Sequence, residues 1–267
     1  MLIGAWRGTM RSATWVLLLV TILSLALNGC GPRPSPTATL LPPTWTPLSS
    51  APTSPLIELP DLLARLHWLG RASFRLDGPP TIYFDPVSSF EGEAPQADII
   101  LISHSHSDHY SPSSLKRISG PETVIIAPQA VATLLPLDGV PGKVRALRPA
   151  ERTTVGAVEI ETTEAYNIGK SYHLKESGNL GFIVTLHGRR IYFAGDTDLI
   201  PEMADIHADV AMLPVGGTYT MDAKEAAQAV AAIKPEVVVP MHTLSDRDVE
   251  QFRDLCNCDV IIMNREE

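Results

Sequence analysis

Residues 103–109 read Ser-His-Ser-His-Ser-Asp-His, and this stretch decides the fold. It directly follows residues 97–102 (ADIILI), a continuous apolar run that predicts a short strand covered on both faces. Four potential metal ligands within six residues are hard to reconcile with a solvated loop, because clustered imidazoles and a carboxylate are costly to desolvate without a partner. The stretch therefore predicts a metal site at the end of a strand.

The spacing within this stretch divides its side chains between two metal ions. Residues i and i+2 of an extended segment point the same way, so His104 and His106 can bind one ion together. Asp108 and His109 lie past the expected bend and can reach a second ion. Imidazole and carboxylate ligands suit Zn²⁺, Fe or Mn²⁺, and we expect two divalent ions with Zn²⁺ as the first candidate.

Two distant residues complete the candidate set. Asp196 ends the apolar segment 191–196 (IYFAGD), and the preceding Gly195 permits a close approach of the backbone. His242 ends the segment 237–242 (VVVPMH) in the same manner. Taken alone, Asp196 could equally be a residue that caps a turn, and His242 would be interpreted as a structural histidine at the edge of the core. Beside the first cluster, both are expected to be metal ligands, with Asp196 bridging the two ions.

The rest of the chain from residue 61 alternates between strand and helix patterns, and residues 222–225 (DAKE) form a capping box that predicts the start of a helix. The predicted strands are 64–69, 73–76, 81–84, 97–102, 123–127, 144–147, 158–163, 181–186, 189–194, 208–213 and 237–240; the predicted helices are 113–118, 128–135, 222–233 and 246–255.

Composition narrows the function class. The 267 residues include 21 Lys and Arg against 30 Asp and Glu, a net charge of −9, so we expect a small-molecule substrate and no nucleic-acid partner. The 45% apolar content excludes a disordered protein.

The three cysteines, Cys30, Cys256 and Cys258, are too few for a disulfide framework. Because a bond between residues i and i+2 would be strained, Cys256 and Cys258 are expected to be incidental.

The first thirty residues resemble a bacterial lipoprotein signal. Two arginines precede the apolar run 15–27, which is short for a membrane span and typical of an export signal. The following residues, Leu27-Asn28-Gly29-Cys30, resemble a lipidation site at Cys30; the alternative is an uncleaved anchor. We therefore expect an exported protein held at the membrane by its N-terminus.

The segment 31–60 separates this signal from the domain. It contains nine Pro and nine Ser or Thr, a composition that predicts a disordered, semi-stiff linker. The remaining residues, 61–267, are expected to form a single globular domain.

The order and spacing of His104-x-His106-x-Asp108-His109, then Gly195-Asp196-Thr197, then His242 resemble the metallo-β-lactamase superfamily. The resemblance covers residues 64–245. It implies an α/β fold of the αββα type, with two mixed β-sheets flanked by helices and the metals at one edge. Residues 67–74, 81–86 and 213–221 are most similar to the small single-domain metal-dependent hydrolases, including the L-ascorbate-6-phosphate lactonase-like group.

The chain departs from this pattern at one ligand. Many family members have a further His between the cluster and the bridging Asp, whereas this chain has Asn167 there, which could replace that ligand, contact substrate or orient a neighbouring ligand. His173, six residues on, is a candidate replacement ligand, a substrate contact or a plain surface residue. Arg71 could bind an anionic substrate group or lie on a surface turn. Asp85 ends a strand and could orient a ligand histidine.

These ligands predict a hydrolase in which a metal-activated hydroxide attacks a lactone, ester, amide or phosphodiester. Asp108 is the candidate catalytic residue, orienting the nucleophile or relaying its proton. The alternative is a catalytically weak metal- or ligand-binding lipoprotein on the same fold, which Asn167 would permit. A binding protein would keep its ligand affinity after Asp108→Ala, whereas catalysis would be lost.

Overall fold

The computed structural model describes residues 56–87 and 94–266. The predicted signal 1–30, Cys30 and most of the linker 31–60 lie outside these ranges. The helices are α1 (Leu59–Leu63), α2 (Pro112–Ile118), α3 (Gln129–Leu137), α4 (Ala223–Ile233) and α5 (Asp246–Leu255). The strands are β1 (Leu66–Gly70), β2 (Ser73–Leu76), β3 (Ile82–Phe84), β4 (Ile99–Leu101), β5 (Val124–Pro128), β6 (Lys143–Leu147), β7 (Arg152–Val155), β8 (Val158–Glu164), β9 (Leu180–Leu186), β10 (Arg189–Phe193), β11 (Val210–Pro214), β12 (Val237–Met241) and β13 (Asp259–Val260).

The strands form two mixed sheets that follow the order of the chain. The first sheet runs from β1 to β6 and the second from β7 to β13. In each sheet the early strands pair antiparallel, and the later strands, from β3 in the first sheet and β10 in the second, pair parallel. A short connection, residues 148–151, links the two sheets. This is the αββα architecture that the resemblance to the metallo-β-lactamase superfamily implies.

Alternation within β4 shows why the sheets are covered on both faces. Ile99 and Leu101 belong to the core between the sheets, whereas Ile100 and Ile102 pack in an outer cluster with α2 and α3. Since successive strand residues face opposite sides, a strand buried on both faces reads as a continuous apolar run. The helices α2, α3, α4 and α5 each connect two parallel strands, because a parallel pair requires a long crossover.

The predicted capping box is confirmed: the Glu225 amide donates to Asp222 and the Glu225 side chain accepts from the Asp222 amide, at the start of α4. Two other details differ from the sequence reading. Ala64 ends helix α1, so the first strand begins at Leu66 rather than residue 64. Ordered contacts also begin before residue 61, since the Ile57 amide donates to the His187 carbonyl.

The expectation that Cys256 and Cys258 are incidental is wrong. The two cysteines form a disulfide in the turn between α5 and β13. Their Cα atoms are 5.4 Å apart, inside the range that a disulfide spans, because the extended conformation of Cys256 ends the helix and turns the chain.

Within residues 56–87 and 94–266, no helix has both the length and the apolar character needed to cross a bilayer.

Candidate metal centre

The candidate ligands lie where strands of both sheets end. Asp85 follows β3, the stretch 103–109 follows β4, Asp196 follows β10 and His242 follows β12. Carboxyl ends of parallel strands meet at one edge of a sheet, which is where open α/β folds place their sites. Gly195 is required for this approach: its φ is +64°, and a Cβ there would lie 3.0 Å from the Leu180 carbonyl oxygen and 3.1 Å from Ser103 Cβ.

Three histidines form the first ligand group. His106 Nδ1 lies 3.0 Å from His104 Nε2 and 3.0 Å from His173 Nε2. The three rings can offer one nitrogen each to a common ion, with all three nitrogens within 4.8 Å of one another. His173 Nε2 also lies 3.4 Å from Asp196 Oδ2. The structure thus brings His173, which the sequence left open, into the cluster.

The second group consists of Asp108, His109 and His242, which also satisfy the geometry of a shared ion. His242 Nε2 lies 3.4 Å from Asp108 Oδ2 and 3.1 Å from Asp196 Oδ2. His109 Nε2 lies 3.3 Å from Asp196 Oδ1. Asp196 therefore contacts histidines of both groups.

Asp85 supports the cluster from behind. Its carboxylate accepts a 2.6 Å hydrogen bond from His109 Nδ1 and further bonds from the amide and hydroxyl of Ser103. It could also form a third ligand group with His104 and His109. Because these three bonds already engage its oxygens, Asp85 is placed to fix the ring of His109 with Nε2 facing the cluster.

Asn167 supports His173 rather than joining the histidines. The backbone N–H of Asn167 donates to the His173 carbonyl at 2.8 Å, and this bond closes the loop between the two residues. The Asn167 side chain donates to the Tyr219 carbonyl at 2.7 Å, and His173 Nδ1 lies 3.1 Å from the same oxygen. This leaves His173 Nε2 directed at the cluster.

Two residues that the sequence reading missed secure the same loop. Lys170 Nζ donates to Asp198 Oδ1 at 2.5 Å and to the Thr220 carbonyl at 2.7 Å. Asp198 also accepts from the Ile168 amide at 2.9 Å. The available signal was the position of Asp198, two residues after Asp196 in the run Gly-Asp-Thr-Asp.

Arg71 forms hydrogen bonds with the second group through both its side chain and its backbone. Its Nε donates to Asp108 Oδ2 at 2.5 Å. Its carbonyl accepts from the His242 amide at 3.1 Å and from Trp68 Nε1 at 3.0 Å. Arg71 therefore places a positive charge at the site and holds two of its candidate ligands.

The electrostatics at His104 and His173 favour neutral imidazole, the form that binds metal. Burial, reinforced by the nearby histidines, holds the pKa of His104 well below its usual range. Burial also lowers the pKa of His173, although Asp196 opposes this effect.

The second group lies among three carboxylates, its own Asp108 and the neighbouring Asp196 and Asp85. Burial alone lowers the pKa of His109, but the carboxylates of Asp196 and Asp85 outweigh it and raise that pKa to about 10. Burial alone would raise the pKa of Asp196 and of Asp108, yet the close approach and charge of His109 and His242, with Arg71 also acting on Asp108, lower both. Such a concentration of carboxylate charge favours a bound cation.

Three buried polar atoms show whether the residues of the cluster could accommodate a metal ion. His109 Nε2, His242 Nε2 and Asp196 Oδ1 have no hydrogen-bond partner, although His109 Nε2 and Asp196 Oδ1 lie only 3.3 Å apart. A buried polar atom without a partner is costly, by about 1–3 kcal/mol each. An ion held between these atoms would satisfy all of them, so the residues present fit a metal centre.

Comparison with known proteins agrees with this geometry. A family profile described as the Beta-lactamase superfamily domain matches residues 65–242. The UPF0173 metal-dependent hydrolase of Thermoplasma acidophilum is 33% identical over 206 residues, covering 72% of this chain and 90% of the relative. The UPF0173 metal-dependent hydrolase of Methanoculleus marisnigri is 37% identical over 190 residues, covering 67% and 80%.

Solved structures show the same fold. A crystal structure from Parabacteroides distasonis superposes with a TM-score of 0.68 at 32% identity, covering 75% of this chain and 93% of that one. A metallo hydrolase from Ignicoccus hospitalis superposes with a TM-score of 0.62 at 24% identity, covering 76% and 95%, a likeness of fold alone. With its strand-end His and Asp cluster on an αββα sandwich, the chain belongs to the metallo-β-lactamase superfamily, among its small metal-dependent hydrolases.

Proposed function

We propose that this hydrolase binds two divalent metal ions, with Zn²⁺ the best match to the donor set. His104, His106 and His173 would hold one ion, Asp108, His109 and His242 would hold the other, and Asp196 would be a ligand shared by both. The observation that carries this proposal is the set of unpartnered buried atoms on His109, His242 and Asp196.

Bound at this site, the ions would supply an acidified water as nucleophile and a Lewis acid for the substrate oxygen. The protein's own side chains position and charge the site. The Asp85 carboxylate accepts a hydrogen bond from His109 Nδ1. Arg71 orients Asp108 through Nε.

Asp108 is the carboxylate that we assign to catalysis. Its side chain is 34% exposed, whereas those of Asp196 and Asp85 are 2% and 0% exposed. Solvent and substrate can therefore reach Asp108, which can orient the attacking water or accept its proton on the carboxylate.

The substrate class that fits this chemistry is a small lactone, ester, amide or phosphodiester. The net charge of −9 argues against a nucleic acid. Specificity like that of L-ascorbate-6-phosphate lactonases stays a prediction. The alternative of a catalytically weak binding protein depended on Asn167 replacing a ligand, and His173 reaches the same cluster.

Export and membrane tethering through a lipidated Cys30 are also proposed. The support is the sequence of residues 1–30, which lies before the family match at 65–242. Labelled palmitate should be incorporated into the wild-type chain and not into Cys30→Ser; equal labelling would contradict lipidation at Cys30.

Elemental analysis of the full chain, purified without chelator, tests the metal centre. We expect about two equivalents in the wild type and at most one in Asp196→Ala, which removes the bridging carboxylate. Asp205→Ala replaces an exposed aspartate and should retain two. A wild-type chain that binds no divalent metal would refute the proposal.

A further inference from the structure

Exposed apolar side chains are concentrated around the metal centre. Among the described residues, eleven large hydrophobic side chains are exposed, and five of them lie on the three loops that carry or hold His173 and His242. Exposed apolar side chains gathered on the loops of a candidate site favour a binding role for those loops. We call these five residues the apolar rim: Ile168, Tyr172, Leu174, Tyr219 and Leu244.

The two tyrosines connect the rim to the cluster. Tyr172 immediately precedes His173, and the Tyr219 carbonyl lies 3.1 Å from His173 Nδ1. The rings of Tyr172 and Tyr219 meet edge to face, with centroids 4.9 Å apart. Tyr172 and Tyr219 are 47% and 37% exposed. The two rings therefore belong to the loops that carry and hold His173, a candidate metal ligand.

Leu244 extends the rim to the second ligand group. It follows His242 by two residues and is 51% exposed. A Cβ placed on Gly216 would lie 3.4 Å from Leu244 Cγ, so this side chain packs against the loop that leads to Tyr219. The rim thus includes residues on loops that carry ligands of both groups.

The rim is fixed before any ligand arrives. The loop that carries Tyr172 is closed by the hydrogen bond from the Asn167 amide to the His173 carbonyl. Lys170 ties this loop to the carbonyls of Gly217 and Thr220, on either side of Tyr219. A surface held in place loses little entropy on binding, which strengthens the association.

We propose that the apolar rim binds the hydrophobic acyl or aryl group of the substrate, so that the enzyme cleaves esters, lactones or amides with an apolar chain. This inference rests on the proposed metal centre. A substrate chain is favoured over a membrane because all five side chains lie on loops that carry or hold candidate metal ligands. Tyrosine suits the role, since it supplies large contact area with few rotatable bonds.

A pair of hydroxamates tests the rim without knowledge of the substrate. Acetohydroxamate and hexanohydroxamate share a metal-binding head group and differ by four methylenes. Calorimetric titration of the zinc-loaded full chain should give at least tenfold tighter binding of hexanohydroxamate, because each buried methylene contributes favourably. Equal affinities would overturn the proposal.

Variants locate the chain-length preference. In the double variant Tyr172→Ser and Tyr219→Ser, we expect the affinity ratio to fall to about threefold or less, with acetohydroxamate affinity and zinc content unchanged. Leu137→Ser, which truncates a side chain that is 78% exposed on α3, should keep the wild-type ratio. A ratio that survives in the double variant would overturn the assignment.

The remaining outcomes are distinguishable. If the double variant also loses acetohydroxamate, Leu174→Ser and Leu244→Ser replace it, and an unchanged ratio in both refutes the rim. If the wild type binds neither hydroxamate nor zinc, the metal centre fails and the rim proposal fails with it. Phosphatidylglycerol vesicle binding that is lost in the tyrosine variant, with equal hydroxamate affinities, would reassign the rim to membrane contact.

Discussion

Four residues of the site have backbone conformations that residues other than glycine rarely adopt. The φ values are 50° at Arg71, 41° at Asp85, 51° at His173 and 49° at His242. Each such conformation costs on the order of 1–3 kcal/mol and persists only where its surroundings hold it. Here hydrogen bonds do so, including the bond from the His242 amide to the Arg71 carbonyl. The site is therefore pre-organised by contacts outside the ligand set.

Asn167→Leu tests this support at one residue. The substitution removes the hydrogen bond to the Tyr219 carbonyl and leaves His173 less firmly oriented. We expect metal affinity to fall about 10- to 100-fold, the usual cost of losing a group that orients a ligand. Competition with a chromogenic chelator measures the affinity. Asn264→Leu, at an exposed position, is the control, and equal affinities in the two variants would contradict the role of Asn167.

The residues of the site differ in how far the sequence could predict them. The placement of His104, His106 and His109 follows from local spacing after one strand. The approach of His173 depends on how a loop closes, which spacing does not encode. Tyr219 contributes a backbone carbonyl, and a carbonyl leaves no signature in residue type. The roles of the four histidines as metal ligands remain a prediction, which elemental analysis tests.

At the scale of elements, the loop after β11 passes unusually close to the loop after β12. A Cβ on Gly216 would lie 2.4 Å from the His242 carbonyl oxygen, a backbone atom that cannot move aside cheaply. Gly216→Ala should therefore destabilise the fold by about 1–3 kcal/mol and displace His242. Urea unfolding measures the loss. Gly120→Ala, where a Cβ would meet no atom within 4 Å, is the matched control and should change stability much less.

The elements that the sequence missed are those with weak periodicity. Strand β7 pairs along one edge with alternating exposed residues, and β13 has only two residues. Helix α1 is five residues long and begins next to Pro60. The continuous apolar strands and the capped helix α4 were predicted because burial on both faces and a capping box leave strong local patterns.

For the whole molecule, the proposed metal ions join two sheets. The first sheet provides residues 104–109, and the second provides Asp196 and His242. Ions that bind only the folded chain stabilise it by mass action, by about 4 kcal/mol at a thousandfold excess over Kd. For a domain of this size, that corresponds to a rise in Tm of about 10 °C.

Removal of metal with EDTA should therefore lower the Tm by about that amount, and added Zn²⁺ should restore it. Differential scanning calorimetry measures both transitions. Asp196→Ala should show a smaller response to EDTA because it lacks the bridging carboxylate. Identical transitions of the wild type with and without chelator would contradict metal binding at the junction of the sheets.

The family and the αββα fold, both expected from the sequence, are confirmed. The family and the fold could be predicted because a few candidate metal ligands at fixed spacing identify a family whose fold extends over a long segment of the chain. The substrate could not be predicted, since function depends on the site and its loops rather than on the fold.

The connection at residues 148–151 gives the chain a natural point of division. A chain cut there would leave one fragment with the first sheet and His104, His106, Asp108 and His109. The other would keep the second sheet with His173, Asp196 and His242. Neither fragment holds a full ligand set, so hydrolysis would return only on reassembly. The same architecture that forms the site could thus serve as a split reporter of molecular proximity.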